Sequence, residues 1–165
     1  MSVIPEIHTD AAAINGKGRS VQVVPVDFKV LDLLSHLLRR AHFHAEAEFV
    51  QAYDGLDATS RQLALLFAIN QAPGSSQTEL ADVIGIDVNT LSDLAKRSER
   101  KGLLRRLRSA GDQRAFGLYL TEAGCQLVAR AAAITPAYQK QLADKLSAKE
   151  AAQLVALLYK MLGLR

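Results

Sequence analysis

The sequence predicts a mostly α-helical fold with one small β-hairpin. Apolar residues recur at steps of three and four along residues 31–49, which is the period of an amphipathic helix. Two shorter helical segments meet at Gly85, and apolar residues then alternate at positions 116, 118 and 120, the period of a half-buried strand. With 165 residues and a hydrophobic fraction of 49%, the chain suits one domain with its own core.

Residues 1–26 form the first segment, and they predict a mostly irregular N-terminal arm. They combine prolines and glycines with mixed polarity, and only residues 21–26 are strand-like. An arm that packs on a partner subunit and a disordered tail both fit this composition.

A long helix is predicted over residues 27–53, followed by a turn at 54–57. Its apolar face is wider than one core needs, because Val30, Leu33 and Leu37 form a second stripe. Such a helix often packs on another subunit as well. A second helix is predicted over 59–70, and the sequence Ala-Pro-Gly-Ser-Ser at 72–76 predicts a loop.

Residues 77–102 predict two short helices joined by a tight turn. The first helix covers 78–84 and ends at Gly85. Asp87 is placed to cap the second helix, 88–101, because its carboxylate can accept hydrogen bonds from the free amides of the first turn. Gly102 ends that helix. Two helices joined in this way form a helix-turn-helix, whose second helix enters the major groove of DNA.

A basic β-hairpin is predicted directly after these helices. Its strands cover 103–108 and 116–120, and a polar loop at 109–115 joins them. A hairpin in this position is a wing. Eight of the chain's 20 Lys and Arg residues lie within 96–114, although the net charge is only +3. This local excess of positive charge is the electrostatic footprint of phosphate binding.

Two more helices complete the chain. Thr121 can cap a helix over 122–146, in which Pro136 predicts a kink or a break because proline lacks a backbone donor. Ser147 and Glu150 make a capping box for the last helix, 148–162. The apolar stripe of that helix has little chain left to cover it, which indicates dimerisation.

The region from 77 to 124 resembles the winged helix of the MarR family of bacterial transcription regulators. The matching residues are Thr78-Glu79-Leu80-Ala81, Ile86-Asp87, Thr90-Leu91-Ser92, Arg97, Glu99, Lys101-Gly102-Leu103, Asp112, Arg114 and Leu120-Thr121-Glu122-Ala123-Gly124. The resemblance covers about 31–162. Residues 1–26, the N-terminal arm, lie outside it. For the rest it implies one compact chain with dimerisation helices (27–58 and 122–165) and a winged helix-turn-helix region that binds DNA (59–121).

The candidate DNA-binding residues lie on the second helix of the motif and in the wing. They are Asn89, Thr90, Ser92, Asp93, Lys96, Arg97, Arg106, Asp112 and Arg114. Asparagine can bond adenine, arginine or lysine can bond guanine, and aspartate can accept from cytosine. Thr90 and Ser92 better suit phosphate contacts or capping. An arginine in the wing can enter the narrow minor groove. The resemblance implies this role for Arg114, with Asp112 orienting its guanidinium or pairing with a basic residue of the recognition helix.

The chain departs from the family pattern at three positions of this helix. Asp93 stands where a basic residue is common, and Lys96 where an acid is common. An operator sequence therefore cannot be taken from relatives. Ser98 replaces a usual leucine, which puts in doubt how tightly the helix packs on the body.

A second candidate site would bind an effector. The resemblance implies a small anionic aromatic ligand, an aromatic acid or its CoA thioester, between the first long helix, the second helix and the winged domain. The candidate residues are Arg39, Arg40, His42, Phe43 and Phe67. Arginine and histidine beside phenylalanine can bind a carboxylate or a phenol. The alternative is that these side chains face solvent or form ion pairs between subunits.

Enzyme, metal and membrane classes find no support in the sequence. There is no G-x-S-x-G, H-E-x-x-H or phosphate-loop motif, so no catalytic residues or cofactor are expected. His36 and His44 are two helical turns apart, too distant to share one zinc ion without further ligands. The absence of a long apolar run, of a signal peptide and of a cysteine pair predicts a cytoplasmic protein. Cys125 is expected to be a buried small residue rather than a redox sensor.

These features together predict a ligand-responsive transcription regulator. The expected protein is a homodimeric repressor that binds double-stranded DNA at a pseudo-palindromic operator. The alternative is an architectural protein that binds DNA without sequence preference, which would show a steep dependence on salt.

Overall fold

The computed structural model describes residues 12–14, 20–22, 24, 26–109 and 112–164, and for 12–14, 20–22, 109 and 112–115 it describes the backbone alone. Contacts within the chain divide it into two units, residues 1–42 and 43–165. Helix α1 (Leu34–Ala52) begins in the first unit and ends in the second.

The first unit contains a short hairpin. Strand β1 (Ala12–Ile14) pairs with β2 (Ser20–Gln22) in antiparallel register, with Ala13 opposite Val21. Part of the predicted irregular arm is thus ordered as two strands. A turn of 3₁₀ helix (Val30–Asp32) precedes α1, and Leu33 between them is extended, with ψ of 116°. The long helix therefore begins at Leu34 and not at residue 27.

The second unit has the predicted order of helices and strands. After α1 come α2 (Ser60–Gln71), α3 (Gln77–Ile84), α4 (Val88–Arg100), β3 (Leu104–Ser109), β4 (Asp112–Leu120), α5 (Glu122–Leu142) and α6 (Ala148–Leu162). The core is built around α2, whose Leu63, Leu65, Leu66 and Ile69 are almost completely buried. Burying one such side chain contributes roughly 1.5–3 kcal/mol, so α2 is the element against which the others pack.

The wing is larger than predicted. Strands β3 and β4 pair antiparallel from Leu104 opposite Leu120 to Arg108 opposite Phe116, and the register shifts between Arg108 and Ser109. Because β4 already begins at Asp112, most of the predicted 109–115 loop belongs to the strands. Periodicity missed this extension because these residues are polar.

The base of the wing is joined to the loop between α2 and α3. The Gly74 amide donates to the Leu118 carbonyl over 2.9 Å, and the Leu118 amide donates to the Ser75 carbonyl over 3.1 Å. A Cβ atom on Gly117 would lie 2.5 Å from the Gly74 carbonyl oxygen. This approach of two backbones requires glycine at position 117.

Helix α5 is continuous through Pro136, so the predicted break is absent. Contacts on both sides of the proline hold the helix against α1. Before it, the Tyr53 and Thr135 hydroxyls are 2.9 Å apart. After it, the Tyr138 hydroxyl donates to the Ala45 carbonyl over 3.1 Å, and burial raises the pKa of Tyr138. The helix ends at Leu142, earlier than predicted.

Helix α4 packs closely on the body, which answers the doubt raised by Ser98. Leu91, Ala95 and Ser98 have no exposed surface. Helix α6 differs, since none of its residues is buried in the single chain. Among the described residues, no helix is both long enough and apolar enough to span a membrane.

Candidate nucleic-acid interface

Local capping fixes the two helices of the motif. Ser76 and Glu79 form a capping box at the start of α3, and the hydrogen bonds from Ser76 lower the pKa of Glu79. Gly85, with φ of +71°, ends α3 in the left-handed conformation that favours glycine. Asp87 then caps α4, accepting from the Thr90 amide over 2.9 Å. The turn that the sequence predicted is therefore bounded by Gly85 at the end of α3 and by the Asp87 cap at the start of α4.

Helix α4 has two distinct faces. Its inner face is the buried set Leu91, Leu94, Ala95 and Ser98. On the outer face Asn89, Asp93, Lys96 and Arg97 are exposed, while Thr90 and Ser92 are half-buried. The helical period thus brings four of the predicted DNA-binding residues to one accessible surface.

Three of the predicted DNA-binding side chains on α4 already have partners. The Thr90 hydroxyl donates to the Asp87 carboxylate, so it belongs to the cap. Lys96 Nζ lies 3.2 Å from Asp93 Oδ1 in an exposed ion pair. Exposed pairs of this kind contribute about 0–1 kcal/mol, so either charge can exchange its partner for DNA at little cost.

The basic residues of β3 are not equivalent. Arg106 Nε lies 3.2 Å from Glu99 Oε2 at the end of α4, and its side chain is only 25% exposed. The Nε and Nη2 atoms are shielded from solvent and have no well-aligned hydrogen bond. Arg105 and Arg108 are exposed, and Arg108 lies 5.9 Å from the centre of the Phe116 ring. Arg106 therefore joins the wing to α4, while its neighbours face solvent.

The remaining wing candidates, Asp112 and Arg114, lie on β4. Their side chains are outside the described part of the chain, so their predicted contacts stay predictions.

The end of α4 is held by contacts that sequence reasoning missed. Lys101 Nζ bonds the Asp57 carboxylate over 2.9 Å and the Asp57 carbonyl over 3.1 Å. Gln62 of α2 donates to the Ser98 hydroxyl over 3.0 Å in the core. These partners are 44 and 36 residues apart in the chain, and no local pattern connects them.

The predicted effector residues are divided between the two units. Arg39, Arg40 and His42 belong to the first unit, where all three are exposed. In the second unit Phe43 is 63% exposed, and Phe67 is half-buried against the core.

A cleft of about 320 Å³ lies at the junction of α1 and α2 in the second unit. Its lining includes Glu46, Phe49, Tyr53, Asp54 and Ser60, and none of the five predicted effector residues. The Ser60 hydroxyl donates to Glu46 over 2.7 Å across it. The carboxylates give this cleft a negative character, which suits an anionic ligand poorly.

The described residues also bear on metal binding and on the predicted burial of Cys125. Within the described residues, no three His, Cys, Asp or Glu side chains are grouped to hold a metal ion. Cys125 is exposed, so its predicted burial was wrong. It lies in the first turn of α5, directly after buried Gly124, and the apolar pattern around it was too weak to show its exposure.

Comparison with known proteins identifies the family. The model of the MarR family matches residues 58–116. The transcriptional regulator HosA of Escherichia coli O157:H7 is 30% identical over 132 residues, which cover 76% of this chain and 98% of HosA. The chain belongs to the MarR family of transcription regulators.

Solved structures of MarR-family architecture agree with this assignment. Bordetella bronchiseptica BpsR, whose DNA binding is regulated by 6-hydroxynicotinic acid, superposes with a TM-score of 0.77 at 25% identity, covering 82% of this chain and 97% of BpsR. The transcriptional repressor CouR, bound to a 23-mer DNA duplex, gives a TM-score of 0.74 at 26% identity, covering 82% and 99%. The predicted family and the winged helix-turn-helix fold class are therefore confirmed.

Proposed function

We propose that this MarR-family chain is a homodimeric repressor that leaves its operator when it binds a small aromatic acid or the CoA thioester of one. The observation that carries the proposal is the surface of α4. This helix is capped at Asp87 and packed through one face, and it exposes Asn89, Lys96 and Arg97 beside a basic wing. A helix held in this way has the rigidity and the donors that major-groove recognition needs.

The DNA contacts follow from that surface. The residues proposed for the major groove are Asn89, Thr90, Ser92, Asp93, Lys96 and Arg97. The wing would add Arg106, Asp112 and Arg114, with Arg114 in the minor groove. To reach a phosphate, Arg106 would have to break its ion pair with Glu99. Of the three wing residues it would therefore contribute least to the affinity for DNA. CouR, solved on a DNA duplex, supports this mode of binding.

The proposed dimer is supported by apolar surface that a single chain leaves uncovered. In α6, Leu154 is 47%, Leu157 55% and Leu162 62% exposed. In the first unit Val30, Leu31 and Leu34 are each more than half exposed. Apolar surface in such amounts commonly marks an interface. A two-fold axis between copies would set the two α4 helices about one DNA turn apart, opposite the halves of a pseudo-palindrome.

The proposed effector would change the distance between the two α4 helices of the dimer. A ligand releases DNA only if it binds the released form of the dimer more tightly than the DNA-bound form. BpsR, regulated by 6-hydroxynicotinic acid, supports an aromatic acid as the ligand class. Arg39, Arg40 and His42 would bind the carboxylate, and Phe43 and Phe67 the ring. Such a regulator would act in the cytoplasm, where bacterial DNA lies.

A gel-shift titration tests the proposal. The probe is the DNA flanking this protein's own gene, with and without a panel of aromatic acids and their CoA thioesters. We expect binding that resists competitor DNA and that one compound releases. Specific binding that no compound releases would remove the effector from the proposal. Equal binding to every duplex would favour an architectural protein, and no binding would refute the proposal.

A further inference from the structure

Gln62 and Ser98 form a polar contact inside an otherwise apolar core. Gln62 is 5% exposed and Ser98 is fully buried, and they are the two buried polar residues among those that the structure describes. Gln62 Nε2 donates to Ser98 Oγ over 3.0 Å, which joins α2 to α4.

The remainder of the α4 inner face is apolar. Leu91, Leu94 and Ala95 contact the body through packing that has no preferred direction. Such packing fixes a helix through shape and volume alone and has no preferred angle of contact. A hydrogen bond weakens steeply when its angle changes, so the Gln62–Ser98 bond is the contact in this face that selects one position of α4.

The α2 side of this contact is itself fixed. Thr59 caps α2, and its hydroxyl accepts from the Gln62 amide over 3.2 Å. A few residues earlier, Asp57 bonds Lys101 just past the end of α4. The segment 57–62 thus holds the last turn of α4 by one exposed and one buried link. The exposed pair is weak, whereas the buried bond acts in a low dielectric.

Stability alone does not account for the pair. Replacing both partners of a buried hydrogen bond by apolar groups of similar shape is often nearly neutral, whereas removing one partner leaves the other unsatisfied. An apolar side chain at position 98 would need no hydrogen-bond partner. The polar pair must therefore offer something that an apolar contact lacks, and its geometry offers a defined position of α4.

We propose that Gln62 and Ser98 are positioning residues for DNA recognition. Their hydrogen bond sets the rotation and the axial position of α4 on α2, so that Asn89 and Arg97 meet base edges in register. The inference rests on the proposed function, in which α4 reads the operator. It predicts that the pair controls discrimination between DNA sequences more than it controls folding.

The test uses the full-length double variant Gln62→Leu/Ser98→Ala, which removes both partners. We expect a thermal unfolding midpoint close to that of the wild type. The ratio of affinities for the operator fragment and for a random duplex should fall about tenfold, because base contacts lose register. The salt dependence of binding to random DNA should not change, because phosphate contacts remain.

Two further variants separate positioning from folding. Val128→Ala opens a cavity in α5, where Val128 is 7% exposed, and it should lower stability without changing the affinity ratio. Gln62→Met keeps the length of the side chain and removes its amide, and with it the donor to Ser98. The Ser98 hydroxyl can then donate to the carbonyl four residues earlier. Gln62→Met should lower the ratio as the double variant does, and it provides the same readout if the double variant does not fold.

The outcomes are distinct. An unchanged ratio in a folded Gln62→Met or double variant would overturn the positioning role while the repressor proposal stands. An equal fall in the Val128→Ala variant would also overturn it, because loss of stability would then explain the effect. A wild-type protein that shows no preference for any duplex would refute the proposed function itself.

Discussion

Arg114 is the residue on which the proposed wing contact depends most. Replacing it with alanine should weaken binding to every duplex by about tenfold, or about 1.4 kcal/mol, because a minor-groove contact reads width and charge more than sequence. Fluorescence anisotropy against operator and random duplexes measures this. Lys145→Ala, the same loss of charge in the exposed turn before α6, is the control. Unchanged affinity in Arg114→Ala would show that the wing contact is wrongly assigned.

Arg40 is the residue on which the proposed effector response depends most. Arg40→Ala should keep DNA affinity within about twofold and raise the effector concentration that gives half release by about tenfold. The reason is the loss of a charge-assisted hydrogen bond to the carboxylate. The matched variant Glu46→Gln changes the cleft between α1 and α2. If Glu46→Gln alters the response and Arg40→Ala does not, the effector binds in that cleft.

Single residues also show where sequence reasoning reaches its limit. The helical period correctly placed Asn89, Asp93 and Lys96 on an exposed face, because that face is a local property. Alternation along a strand shows only that successive side chains of β3 point to opposite faces. It could not identify Arg106 as the one that pairs with Glu99, since this depends on how β3 lies against α4. Nor could the sequence identify Gln62 as the hydrogen-bond partner of Ser98.

Among the elements, the joint between the wing and α5 leaves no space for a side chain at Gly124. The Leu103 carbonyl, which accepts from the Thr121 amide, occupies the place of a Cβ atom. Gly124→Ala should therefore cost about 2 kcal/mol and lower the unfolding midpoint by about 4–8 °C, despite the higher helix propensity of alanine. Differential scanning calorimetry measures the change. Cys125→Ala, at the exposed neighbouring position of the same helical turn, should keep the midpoint, and an equal loss would argue against the clash.

The cap of α4 makes this helix sensitive to acid. Hydrogen bonds from the Thr90 side chain and amide lower the pKa of Asp87. The carboxylate therefore stabilises the fold above its ordinary pKa of 3.8, and that stabilisation is lost as pH falls through the lower folded-state value. Asp87→Asn keeps a capping oxygen that does not titrate.

The expected result is a smaller decrease in stability for Asp87→Asn than for the wild type between about pH 4 and pH 2. Thermal unfolding followed by circular dichroism at several pH values measures it. Part of the loss of stability in acid should remain in Asp87→Asn, because the capping boxes of Glu79 and Glu150 lower the pKa values of these two residues as well. Asp82→Asn on α3 is the control, and it should keep the wild-type pH dependence.

Most elements were predictable because their signals are local. Caps at Asp87, Thr121 and Ser147 were predicted from the sequence, and each is formed in the structure. The exceptions depend on distant contacts. The break expected at Pro136 is absent because Tyr53 and Tyr138 hold α5 against α1. The local sequence gives no reason for a glycine at position 124 of a helix, and only its approach to Leu103 shows that glycine is required.

For the whole molecule, the proposed assembly can be tested through α6. Leu157→Glu places a charge on apolar surface that is 55% exposed in the single chain. If two copies cover that surface, the variant should shift the dimer dissociation constant upward by at least about a hundredfold. Sedimentation velocity over a range of concentrations measures this shift.

The control for this variant is Val83→Glu, which alters a 69% exposed residue of α3 outside the proposed interface. The Val83→Glu protein should sediment with the same mass as the wild type. A Leu157→Glu protein that remains dimeric would place the subunit contact elsewhere.

The exposed position of Cys125 in α5 has a practical consequence. It is the single cysteine of the sequence, so a nitroxide attached to the wild-type chain labels one defined point. An assembly of two chains would then carry two spins, and pulsed electron resonance would report one distance between them. Comparing that distance for the protein alone, on DNA and with a candidate ligand would give the change of shape directly, without engineered label sites.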